Sequence, residues 1–204
     1  LYKFEASPKT KSLDGAVHAI QARGIDEKFY HKHLYNDANY LVLAQVIEVV
    51  THKSYAANYY DDLAQPLSLQ HSAFFNEKPY KKYMKPNILA QYYGAGNLYM
   101  TTYDMAHLVN NLKNNNIFSE SVSIPLTQQL GTTAYPESYR YGFYVTPQYN
   151  RINGVFYGQL FTVYFNQHYV IVLASNIGDN SKVTNENRIS YIYHKILNQQ
   201  SYYQ

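Results

Sequence analysis

Apolar residues crowd the stretch "YNDANYLVLAQVIEVV", where Leu41, Ala44, Val46, Ile47, Val49 and Val50 fall on most faces of a helix. A surface helix keeps a polar face for solvent, and one without it belongs in the centre of a fold. Asn36, Asp37 or Asn39 is available to cap its start. Before it, residues 1–34 are polar and irregular, with a short helix expected around Leu13–Ala22. After it, a second helix is expected over Tyr55–Leu63, ending at Pro66, where the ring and the missing N–H stop a helix.

Residues 68–93 are rich in Lys, Tyr, Asn and Pro and read as loop. "GAGNLYMTTYDMAHLVNNLKNN" then supplies a Gly-rich turn, Thr101 or Thr102 as a cap, and an amphipathic helix to about Leu112. A further short helix is expected near Val122–Leu130. Beyond that the pattern changes. "YRYGFYVTP", "GVFYGQLFTVYFN" and "HYVIVLASN" carry β-branched and aromatic residues between turns, as a three-stranded antiparallel meander does. "NENRISYIYHKILNQ" closes the chain as a helix with Ile189, Ile192, Tyr193 and Ile196 on one face. The expected class is α+β: a mainly helical region over 1–134, then antiparallel strands and a C-terminal helix over 135–204.

Composition narrows the function classes. The 204 residues are 46% hydrophobic and 15% charged, which fits a globular chain, although 25 tyrosines beside no tryptophan are unusual. Lys plus Arg exceed Asp plus Glu by 17 to 14, but the excess is spread along the chain and forms no basic stripe, so no nucleic-acid partner is expected. Without cysteine there is neither a disulfide framework nor a thiolate metal site. No stretch approaches the roughly 20 apolar residues that span a bilayer.

The chemical candidates are few. His31 and His33 lie near Asp37, but with no third ligand at a diagnostic spacing no metal is expected. "GAGNL" lacks the preceding strand and the lysine of a phosphate loop, so it reads as a packing turn and no cofactor is expected. Tyr35 has two readings: it leans on the helix start as a staple, or it moves protons. The second requires a cation to lower a phenol pKa ordinarily near 10. Lys32 is the one lysine within three residues, so that cation has to come from elsewhere in the fold.

Several motifs, in order, resemble the serine beta-lactamase and penicillin-binding protein superfamily, in its class C beta-lactamase, peptidase and esterase branch. They are Tyr35-Asn36-Asp37 with Asn39-Tyr40 and the apolar helix, "THKSY", "QPLSL", "GAGNLYMTTYDMAHL", "YGFYV", and "LYKF" at the start. The resemblance implies a beta-lactamase/transpeptidase-like fold whose N-terminal part is missing here. Such enzymes take a nucleophile and a general base from a Ser-x-x-Lys motif, and the tyrosine of the second motif exchanges protons with the nucleophile and leaving group. Tyr35 would be that tyrosine. No serine here is followed by lysine three residues later, and Ser7-Pro8-Lys9 has the wrong spacing. The resemblance therefore places the serine and lysine in an upstream segment, which becomes the chain's first partner.

Two departures bear on substrate. The family carries Lys-Thr-Gly or His-Thr-Gly on a strand lining the site. "INGVFYG" keeps Gly154 and Gly158, but Ile152 and Asn153 stand at the cation and hydroxyl positions. Isoleucine cannot recognise a carboxylate, although Arg151 could if it turned inward. In the second motif Asp37 stands where the family has a neutral Asn. It is either a helix cap or an anion that repels carboxylates and attracts an ammonium group. A lost cation and a gained anion together fit a D-alanyl ester. The resemblance then implies an exported serine hydrolase of the Gram-positive envelope, anchored through the missing segment and acting on D-alanyl esters of teichoic or lipoteichoic acid. Its substrate-binding residues would be Asp37, Ile152, Asn153 and Gly154. A D-alanyl-D-alanine carboxypeptidase or beta-lactamase, and a non-catalytic envelope-binding homologue, are the rival expectations.

Overall fold

A computed structural model describes residues 1–2, 4–7, 9–32, 34–75, 86–119, 121–122, 138–156, 159–175, 191–192 and 194–195. The chain divides into two compact units, Leu1–Met100 and Thr101–Gln204.

The first unit is mainly helical. Helix α1 (Leu13–Arg23) starts at Ser12, whose hydroxyl accepts from the Gly15 N–H, and stops at Gly24, where a φ of 75° suits glycine. It buries Leu13, Ala16, Val17 and Ile20. Helix α2 (Asp37–Thr51) follows a 3-10 turn at Glu27–Phe29. Helix α3 (Tyr55–Tyr59), capped by Ser54, runs into a π-helical turn at Tyr60–Ala64 and ends before Pro66, as expected.

The stretch read as loop and turn contains more order than its composition suggested. Strand β1 (Ser72–Phe74) pairs antiparallel with β2 (Leu98–Met100), and helix α4 (Pro86–Leu89) lies between them in sequence. Three-residue strands are too short to display alternation, so the sequence carries no period to find them by. Phe74 is completely buried, and the rings of Tyr55, Tyr59, Tyr60 and Tyr93 surround it at 6.2, 5.4, 6.0 and 5.2 Å. Four of the unusual tyrosines thus pack around one core phenylalanine, Tyr59 itself buried and the others half-buried, and the Tyr59 hydroxyl stays satisfied by donating to Ser72 Oγ at 2.6 Å.

In the second unit helix α5 (Thr102–Lys113) starts at Thr101, whose hydroxyl accepts from the Asp104 N–H at 3.2 Å. The expected three strands are five: β3 (Ser138–Arg140), β4 (Phe143–Val145), β5 (Asn150–Phe156), β6 (Gln159–Phe165) and β7 (Val170–Ser175), antiparallel and in chain order. "YRYGFYVTP" is a hairpin, turning at Tyr141 and Gly142, both at positive φ (47° and 99°), as a two-residue turn of primed type requires. "GVFYGQLFTVYFN" is also a hairpin, in which Phe156 faces Gln159. One sheet face packs on α5 through Val109, Phe143, Val145, Val163 and Phe165. The other carries Tyr164 with Tyr149, Ile171 and Leu173.

Tyr191–Ile192 and His194–Lys195 are helical, in keeping with the expected terminal helix. The rest of that helix, most of the one expected at 122–130, and Gly158 lie outside the described residues.

Candidate active site

Asn36 organises the start of α2. Its backbone is extended (φ −156°, ψ 130°) and its side chain is buried, with Oδ1 accepting from the Ala38 N–H at 3.0 Å. The same oxygen accepts from the Phe4 N–H at 3.4 Å, and Nδ2 donates to the Leu1 carbonyl at 3.1 Å. One side chain therefore caps the helix and holds the first residues of the chain. Of the three candidate caps, Asn36 is the one used. Asp37 is the first helical residue and half-buried. There a carboxylate lies at the positive end of the helix dipole.

In extended backbone, neighbouring side chains point to opposite sides, so burying Asn36 turns Tyr35 outward. Tyr35 is 53% exposed, with its ring 6.4 Å from that of Tyr40. A phenol so placed is accessible to a reactant, with its backbone fixed from the next residue. The sequence offered Asn36 as one of three candidate caps, but its hold on Leu1 and Phe4 is a long-range contact that no local signal announces.

The Gly-rich turn packs directly on this helix. Gly94 has a φ of 80°, and a side chain there would meet Ala44 Cβ at 2.9 Å and the Tyr40 carbonyl oxygen at 3.0 Å. This is the packing turn the composition implied. His31 is exposed, with its ring against Tyr30 at 4.1 Å, and His33 lies outside the described residues. Among the described residues no three His, Asp or Glu side chains cluster to hold a metal.

The altered third motif lies on β5 in the second unit, where alternation separates its residues. Ile152 faces Val163 and packs into the cluster beneath α5. Gly154 is on the same face, opposite Phe161; a Cβ there would fall 1.9 Å from Phe161 Cε1, so the aromatic ring occupies the glycine's missing side chain. Arg151 and Asn153 are on the other face, opposite Tyr164 and Thr162. The Arg151 guanidinium sits over the Tyr144 ring at 4.5 Å. It therefore does not take the place that Ile152 fills. β4 pairs with β5 at Tyr144–Arg151 and Val145–Asn150, and among the described residues β6 is the only strand beside residues 152–156.

Tyr35 and Asp37 thus belong to the first unit, and Ile152, Asn153 and Gly154 to the second. Among the described residues no helix is long and apolar enough to cross a membrane.

A tyrosine and a carboxylate at the start of an apolar helix, followed by an antiparallel sheet with a glycine-bearing strand, match a known class. The chain belongs to the Beta-lactamase family, whose model matches residues 1–192. Within it, the chain is 53% identical over 217 aligned positions to a teichoic acid D-alanine hydrolase of Staphylococcus aureus. That alignment covers 100% of this chain and 54% of the relative, so the chain spans about half the length of the curated relatives it matches. The crystal structure of FmtA from Staphylococcus aureus superposes with a TM-score of 0.86 at 53% identity, over 98% of this chain and 60% of that one. A D-amino acid amidase from Ochrobactrum anthropi SV3 shares the fold alone, with a TM-score of 0.78 at 14% identity over 97% of this chain and 68% of that one.

Proposed function

We propose that this chain is part of a serine hydrolase of the Gram-positive cell envelope that removes D-alanine esterified on teichoic or lipoteichoic acid. The observation that carries this reading is the 53% identity to a teichoic acid D-alanine hydrolase along the entire chain. The tyrosine and carboxylate at the start of α2 suit the chemistry.

In this reading a serine upstream of Leu1 attacks the ester carbonyl. Its proton passes through an upstream lysine and Tyr35 to the departing polyol oxygen, and the D-alanyl group stays on the serine. Backbone N–H groups stabilise the oxyanion, one of them from β5 after Asn153, where the strand runs past β4. Water then attacks the acyl-enzyme, releases D-alanine and restores the serine. Asp37 faces the substrate's ammonium group, an attraction that a neutral residue would not supply. Asn36 acts by positioning, since it fixes the backbone that presents both neighbours. Asn153 contacts the substrate, while Ile152 and Gly154 shape β5 from its packed side. An apolar Ile152 where the family has a cation favours an esterified D-alanine over a free carboxyl terminus. The protein works outside the membrane, anchored through its upstream segment.

The test is release of free D-alanine from purified lipoteichoic acid by the intact protein and its Tyr35→Phe variant. Removing one proton carrier is expected to slow release by about 10²–10⁴-fold, and equal rates would sink the role given to Tyr35.

A further inference from the structure

The turn between β3 and β4 is filled against the usual preference. Both central residues of a two-residue turn of primed type take positive φ, and Asn-Gly or Asp-Gly is the common filling because those residues tolerate it. Gly142 fits, with a φ of 99°, but the first position is Tyr141 at 47°, a conformation that bulky side chains rarely adopt. Burial does not compensate for it, since Tyr141 is 68% exposed. A strained residue whose side chain is left in solvent points to a use for that side chain.

Arg140 is its neighbour. The guanidinium lies 6.0 Å from the centre of the Tyr141 ring, within cation–π range. Arg140 is half-buried, its Nη1 is buried with no hydrogen-bond partner, and it makes no ion pair among the described residues. A guanidinium that has lost water and gained no acceptor is one that an oxyanion would satisfy.

Strand register says where this tip stands. β4 and β5 are antiparallel, and their pairing ends at Tyr144–Arg151. From Tyr144 the chain runs back through Phe143 to Tyr141, so the tip extends along β5 in the direction of Ile152, Asn153 and Gly154. Three residues of strand reach about 10 Å. Among the described residues no strand pairs with that edge of β5, and it is the edge from which the proposed mechanism draws an oxyanion N–H.

We propose that Arg140 binds a phosphodiester group of the substrate chain next to the ester being cleaved. This rests on the teichoic acid reading, in which the polyol carrying D-alanine is flanked by phosphates. The planar guanidinium donates charge-assisted hydrogen bonds to the phosphate oxygens. Tyr141 is a positioning residue: its ring holds the guanidinium at the tip of the hairpin. The site thereby favours an ester on the polymer over the same ester on a small alcohol.

The test compares two substrates of the intact protein, D-alanylated lipoteichoic acid and D-alanyl glycerol, which has no phosphate. Arg140→Gln is expected to raise KM for the polymer about tenfold relative to KM for the small ester, as loss of one charge-assisted contact would. Arg140→Lys should recover part of that loss. Tyr141→Asn is expected to raise the same ratio about threefold with a urea midpoint at least as high, because Asn suits the turn better. A ratio that Arg140→Gln leaves unchanged, or a loss equal on both esters, overturns the proposal; if that variant does not fold, Tyr141→Asn decides by the same criterion. Binding of lipoteichoic acid stripped of D-alanine is measured in parallel, with phosphatidylglycerol vesicles as the same phosphodiester on a lipid. Binding that depends on Arg140 with the vesicles and not with the polymer overturns the proposal. Arg140-dependent binding of the stripped polymer without D-alanine release from either ester overturns the functional reading and supports the phosphate site, whereas release with binding indifferent to Arg140 overturns the phosphate site alone.

Discussion

Helix α5 gives one side to a sheet and the other to solvent, whereas α2 is apolar on both. In α5, Val109 sits in the sheet's core with Met105 and Leu112 against it, Tyr103 faces outward, and Lys113 Nζ donates to the Gln167 carbonyl at 2.9 Å. In α2, the buried side is small, built on two alanines and a leucine, and the larger aliphatic residues point away from it. Among the described residues, α5 therefore packs its apolar side on the sheet, whereas α2 leaves one apolar side exposed. The two helices also start differently. Thr101 makes one capping bond, while Asn36 caps its helix and holds two further backbone groups.

The largest effect is expected at that second difference. Asn36→Ala removes a cap and two further hydrogen bonds from a buried position and should cost about 2–4 kcal/mol by urea denaturation, against about 1 kcal/mol for Thr101→Ala. Equal losses would break the contrast and show that the first residues are not held at α2. The apolar sides differ next. Val109→Ala should cost about 2–3 kcal/mol, and Val46→Ala in this 204-residue chain no more than about 0.5.

The contrast extends to β5. Gly154→Ala puts a methyl where the Phe161 ring lies and should cost about 1–3 kcal/mol of overpacking. Combining it with Phe161→Leu should recover part of that loss. If the double variant loses the sum of the two single effects, the ring is not what excludes a side chain there.

Much of the helical architecture was legible because its signals are local. Crowded aliphatic residues announced α2, Pro66 ended the helical stretch before it, and threonines marked the start of α5. Strand roles were less legible because they depend on pairing. The composition of "INGV" says nothing about which side chain faces α5, and the register decides that Ile152 is packing while Asn153 is on the other face. Tyr141 and Gly142 split one apparent strand in two through their positive φ values, an outcome harder to read at a tyrosine than at a glycine. At the candidate site, sequence singled out Tyr35 and Asp37 and offered Asn36 as one of three caps, while the bonds by which Asn36 also holds Leu1 and Phe4 came from the structure. The expectation of a central α2 also takes on a more exact form: Ala38, Leu41 and Ala44 are buried in the first unit, while Leu43, Val46, Ile47 and Val50 are exposed.

The smallest effects test the side of α2 that is already packed, through its link to α3. Burial raises the Tyr55 phenol above its ordinary value of 10.0, and the Tyr55 N–H donates to Glu48 of α2. A raised folded-state pKa leaves stability intact below about pH 10 and removes it as pH climbs toward the folded value, because the unfolded phenol ionises first. Tyr55→Phe should therefore flatten the decline in stability above about pH 10 and leave the neutral region unchanged in slope. Lys53 is also raised, by its hydrogen bond at 2.7 Å to Asp61 and the charge of that carboxylate. The sign is the same: the pair's contribution is present below the unfolded lysine value and is lost as pH rises through the folded one. This pair is open to solvent, so its share is small and screened by salt. Asp61→Asn should give a change detectable at low ionic strength and absent at about 1 M salt. An alkaline decline that Asp61→Asn abolishes and Tyr55→Phe leaves untouched would shift the explanation from the packed side of α2 to its exposed C-terminal turn.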